Sequence, residues 1–122
     1  MKKVLLLALA ALAAAALFGS VIAAHATPIS RANAVRSAHQ YLQVQAFSLN
    51  GLVSQLKYDG FSTSDATYGA SHSGANWMNE AVARAKDYLR FQKFSRSGLV
   101  KQLEYDGFTP DQALHGARAV GL

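Results

Sequence analysis

The chain contains no cysteine. No disulfide can staple it, and no thiolate can help to hold a metal. A lipoprotein signal needs a cysteine to carry its lipid, so tethering by that route is chemically excluded. The two prolines fall at edges: Pro28 in a lead-in without periodicity, and Pro110 at the first position of a helix, where a missing N–H costs nothing. Charge of one sign is also in short supply. Beyond residue 26 there are ten Lys or Arg against seven acids, a net of +3, too mild to announce nucleic-acid binding.

Catalytic signatures are missing too. His25, His39, His72 and His115 include no pair at the i, i+4 spacing of a metal site. No G-x-S-x-G elbow is present. Gly51, Gly60 and Gly69 are spaced by nine, which fits neither a phosphate loop nor a dinucleotide fingerprint. No cofactor and no metal are expected, and nothing asks for an enzyme.

What is present begins with a leader. Lys2 and Lys3 precede an apolar run over residues 4–18, and Ala24-His25-Ala26 is a small-x-small cleavage site. That order predicts a secretory signal peptide over residues 1–26, cut between Ala26 and Thr27. The alternative is an uncleaved membrane anchor. No later segment is apolar enough to cross a membrane.

The remainder is one pattern used twice. Residues 47–61 read FSLNGLVSQLKYDGF, and residues 94–108 read FSRSGLVKQLEYDGF. Aligned at a shift of 47, residues 34–70 and 81–117 match without a gap, and 20 of the 37 positions are identical. Such density marks two copies of one supersecondary unit. Within each copy, Ala34, Val35, Ala38, Tyr41 and Leu42, with their counterparts from Ala81 to Leu89, form a stripe at a helical period. Ser48 and Ser95 can cap a second helix. Gly60 and Gly107 can end it in a left-handed turn. Gly51 and Gly98, inside that helix, suggest close approach of a neighbouring helix. A third helix starts near Ser62 and again at Thr109, where Gln112 completes a capping box. The fold class is therefore all-α: two three-helix repeats over residues 33–70 and 77–120, joined by a linker at 71–76. Residues 27–32 read as loop. A core of about forty residues supplies at most ~3–5 kcal/mol, so the repeats are expected to lean on each other or on a partner. Trp77 is either an inter-repeat plug or an ordinary core residue of the second unit.

Asp59 and Asp106 are the acids kept in both copies. They read as turn residues bonding nearby backbone N–H groups. Tyr58 and Tyr105 carry an apolar body and a polar tip; they either line a recognition groove or pack on the core. The copies differ most in charge. Arg84, Lys86, Arg90, Lys93, Arg96 and Lys101 stand where the first copy has Ser37, His39, Gln43, Ala46, Leu49 and Ser54. Lys86, Arg90 and Lys93 follow i, i+4, i+7, which predicts a basic exposed strip on the second unit alone. It is either a solvated face or a docking surface for an acidic partner.

The motif A-x-x-Y-L…F-S-x-x-G-L-x-x-Q-L-x-Y-x-G-F-(S/T)-x-x-x-A is met from Ala38 to Ala66 and from Ala85 to Ala113. It resembles the Ltp-type repeat of bacterial host cell surface-exposed lipoproteins, a helix-turn-helix-like domain often found in tandem. The resemblance implies an exported, non-catalytic binding module. It further implies superinfection exclusion, in which phage DNA is kept out by binding of the tail tape-measure protein. The family's lipid-bearing cysteine is missing here. Two other readings stay open: a nucleic-acid-binding helix-turn-helix module, and an envelope structural or polymer-binding protein whose partner is a protein or anionic polymer. An envelope hydrolase lacks any nucleophile, metal or acid-pair signature. Oligomeric state is not legible.

Overall fold

A computed structural model describes residues 28–122. The leader, the cleavage site at Ala26 and Thr27 and the anchor alternative lie outside the described residues. Six helices follow in order: α1 Pro28–Val44, α2 Leu49–Tyr58, α3 Thr63–Ser71, α4 Trp77–Phe91, α5 Arg96–Tyr105 and α6 Pro110–Ala119. No strand occurs among the described residues, and the fold is two tandem three-helix repeats. Each repeat has its own apolar centre. Leu52 and Leu56 meet Ala38, Tyr41, Ala66 and Ala70 in the first. Leu99, Leu103 and Phe108 meet Tyr88 and the matching alanines in the second. No described helix is long and apolar enough to cross a membrane.

Caps set the boundaries. The Ser48 and Ser95 hydroxyls accept the N–H groups of Gly51 and Gly98 at 2.9 and 3.0 Å, satisfying first-turn donors. At the far end of α2, Gly60 has φ 104°. The Phe61 N–H reaches the Leu56 carbonyl and the Gly60 N–H the Lys57 carbonyl. This paired closure satisfies carbonyls the helix leaves free and turns Phe61 back onto the core. Phe108 and Gly107 repeat it.

Two expectations are corrected here. α1 begins at Pro28, so residues 28–32 are helix rather than loop. Polar contacts hold that first turn: Ser30 donates to the buried Asp65 carboxylate at 2.5 Å, and the Arg31 guanidinium lies 4.7 Å above the Tyr68 ring. The tightest helix approach occurs at Gly69 and Gly116, not at Gly98, while at Gly51 the Asp106 carbonyl at the end of α5 comes to 3.4 Å of where a Cβ would sit. A Cβ at Gly69 would sit 2.7 Å from the Ala34 backbone, and one at Gly116 would sit 2.8 Å from the Ala81 carbonyl oxygen. These two glycines let α3 lie on α1 and α6 on α4. At Gly98 the nearest obstacle is the capping Ser95 hydroxyl of the same helix, 3.0 Å away.

Candidate docking surface

The repeated acids serve tyrosines. In the first repeat the Tyr41 hydroxyl donates to Asp59 at 2.9 Å, and Gln55 donates to both. In the second, Tyr88 donates to Asp106 at 2.6 Å and Gln102 donates to Tyr88. The carboxylates thus tie the end of the second helix to the middle of the first. They do not bond turn N–H groups, which corrects the reading of Asp59 and Asp106 as simple turn residues. Burial, followed by the nearby carboxylate, pushes both tyrosine hydroxyls well above their ordinary range. Burial raises the Asp59 carboxyl, and the bonds from Tyr41 and Gln55 offset part of that rise.

Arg84 separates the two clusters. It is 6% exposed, and its Nε donates to Asp106 at 3.0 Å. Burial is the largest single influence and acts to lower its pKa, but the charges and hydrogen bonds of Asp106 and Tyr88 together outweigh it and leave the pKa raised. Arg84 therefore does not belong to an exposed basic strip. The spacing carried the signal: Ala81, Arg84, Ala85 and Tyr88 fall at i, i+3, i+4 and i+7, all on the buried side of α4.

The other five cations are exposed, though not along one helix. α4 ends at Phe91 and its cap Gln92 is extended, so Lys93 stands in the connection rather than on a third helical turn. Lys86 and Arg90 lie on α4, Arg96 and Lys101 on α5. Arg90 pairs with Asp87 at 2.9 Å, and Arg96 donates to the Leu122 carbonyl at 2.7 Å. Among the described residues no carboxylate lies in ion-pair range of Lys86, Lys93 or Lys101. Tyr58 and Tyr105 are 69% and 83% exposed, so neither ring is core. They occupy equivalent places on different repeats.

The repeats meet end to end. Ser48 is 2% exposed and donates to the Asp106 carbonyl at 2.6 Å while capping α2. The Phe47 N–H donates to the Glu80 carboxylate at 3.0 Å. Burial raises the Glu80 carboxyl, partly offset by that bond. Trp77, although it opens α4, packs on the first repeat's core, which is the plug arrangement. Beside this junction is a cavity of about 450 Å³ lined by Phe47, Ser54, Tyr58, Arg84 and Asp106 among others. Glu80 and Asp65 are the functional-looking acids that sequence reasoning passed over. Glu80 has Asn33, and Asp65 has Gln112, at the equivalent position, so identity between copies could not flag them.

A family profile described as host cell surface-exposed lipoprotein matches this chain twice, over residues 30–72 and 76–117. Among solved structures, the chain is similar to Ltp, a superinfection exclusion protein from the Streptococcus thermophilus temperate phage TP-J34. Identity is 28%, the TM-score is 0.70, and the match covers 80% of this chain and 99% of that one. No curated protein matches the chain.

Proposed function

Because the chain belongs to the host cell surface-exposed lipoprotein family, matched over both repeats, we propose that it is a non-catalytic binding module acting in superinfection exclusion. The family's location is the cell surface, and the chain is an exported or envelope protein. The observation that carries the proposal is its likeness to a superinfection exclusion protein over nearly the whole of that protein's solved chain. From the envelope, such a module keeps phage DNA out by seizing a component of the injection machinery. A tail protein of the tape-measure kind is the partner the reading favours.

The contact surface in this reading is the exposed basic side of the second repeat, with Lys86, Arg90, Lys93, Arg96 and Lys101, joined by Tyr105. Tyr58 flanks the junction cavity as a secondary contact. Arg84 contributes by fixing the Asp106 turn rather than by touching a partner. Exposed cations steer an acidic partner and raise its rate of encounter more than they raise its affinity.

The test is phage infection of a sensitive host that exports the chain. Expected are normal adsorption and phage DNA that fails to reach the cytoplasm. DNA injection at the rate of cells lacking the chain would overturn the proposal.

A further inference from the structure

The contact between the repeats has a direction. The first repeat offers the face around Phe47 and Ser48, and the second offers the turn after α5. Ser48 donates to the Asp106 carbonyl, and Phe47 donates to Glu80. A contact between unlike faces leaves one of each unused. Here the unused copy of the first face lies on the second repeat, around Phe94 and Ser95. The unused turn lies on the first repeat, at Asp59 and Gly60.

The two unused faces are not electrically alike. Ser95 is exposed where Ser48 is buried. Its hydroxyl caps α5, but among the described residues its proton has no acceptor, and neither has the Phe94 N–H. Lys93 and Lys101 stand where the first copy has Ala46 and Ser54, both of which line the junction cavity. The open face is thus a donor-rich, cationic version of a face whose occupant is visible within the chain. That occupant is a helix C-terminus whose Asp106 carbonyl accepts Ser48, with a left-handed glycine (Gly107, φ 105°) and the Glu80 carboxylate beside it. Helix C-termini carry partial negative charge, which suits such a face.

The chain's own spare turn has the same backbone, with Gly60 at φ 104°. Its charge is wrong. Asn33 replaces Glu80 there, and Lys57 replaces Glu104. We infer that the open face around Ser95, Lys93 and Lys101 is a docking site for the C-terminal turn of an acidic helix in a partner protein. Its lysines reject a second copy of this chain. The inference rests on the reading that the basic side of the second repeat is the contact surface, and it specifies the shape and charge of what binds there.

The probe is the chain itself with Asn33→Glu and Lys57→Glu, two exposed positions, which give the spare turn the acids of the second. Sedimentation velocity at low salt is expected to show head-to-tail oligomers that grow with concentration. Their apparent dissociation constant should lie at least about tenfold below that of the unaltered chain. They should disperse as salt rises and vanish when Lys93→Glu and Lys101→Glu are added. Helix content by circular dichroism confirms that each variant is folded. Three results would overturn the inference: a doubly substituted chain that sediments like the unaltered one, oligomers that survive the lysine reversals, or equal assembly by the unaltered chain. None of these touches DNA exclusion by the unaltered chain, so the two readings fail separately.

Discussion

Asp59 and Asp106 occupy the same place in the repeat, yet they make opposite demands. Asp106 is the counter-charge of a buried guanidinium, and among the described residues Asp59 has no cation in ion-pair range. Removing one partner of a buried pair costs about 3–5 kcal/mol, because the other charge is left unpaired. Asp106→Asn is therefore expected to destabilise by about that amount in urea denaturation. Arg84→Ser leaves Asp106 without its counter-charge, with Tyr88 as its remaining partner, and should cost a similar amount. Losses that simply add in the double variant would mean that Arg84 and Asp106 are not coupled. Asp59 also predicts a pH effect. Its folded pKa is raised above the ordinary 3.8, so the folded chain holds a proton that the unfolded chain gives up. Stability accordingly falls as pH rises through the window between those two values, and Glu80 contributes in the same direction. Asp59→Asn should flatten the dependence of the urea midpoint on pH just above the ordinary carboxylate value; an unchanged slope would remove Asp59 as its source. None of this coupling was legible in the sequence. Tyr41 looked like one more member of an apolar stripe, and its carboxylate lies 18 residues further on, brought near only by the turn between helices.

At the scale of elements, the sequence was legible wherever a local rule decides. Ser48, Ser62, Ser95 and Thr109 cap the helices they were expected to open. Gly60 and Gly107 end theirs. The start of α1 was not legible, because Ser30 and Arg31 are held by Asp65 and Tyr68 from a helix more than thirty residues away. The glycines were half legible. Gly51 and Gly98 were read as points of close approach and Gly69 and Gly116 were not, because which glycine a neighbouring helix presses on depends on packing. That distinction can be measured. Gly116→Ala forces a Cβ against the Ala81 backbone and should cost about 1–3 kcal/mol. Gly98→Ala meets only its own cap and gains about 1 kcal/mol of helix propensity, so its thermal midpoint should stay near that of the unaltered chain. A destabilised Gly98→Ala beside a tolerated Gly116→Ala would contradict the assignment.

At the scale of the molecule, identity between copies reports architecture, and the differences report what faces outward. Ser48 and Ser95 are the same residue at the same position, but only Ser48 holds the other repeat. Ser95→Ala should cost about 1 kcal/mol, the price of a cap. Ser48→Ala loses in addition the bond to the Asp106 carbonyl and should cost about twice as much. Equal costs in chemical denaturation would mean that the junction contributes nothing. The site was partly legible for the same reason. Lys86, Arg90, Lys93, Arg96 and Lys101 stood out as changes of charge, and all are exposed. The face to which Lys93 and Lys101 belong could not be recognised until the junction showed what its counterpart holds. The most direct measurement is phage DNA injection into cells exporting either the unaltered chain or one with Lys93→Ala and Lys101→Ser, the residues of the first copy. If the second repeat's open face carries exclusion, the substituted chain adsorbs phage normally, is exported and melts as before, and yet lets the DNA in. Full exclusion by the substituted chain would contradict that account.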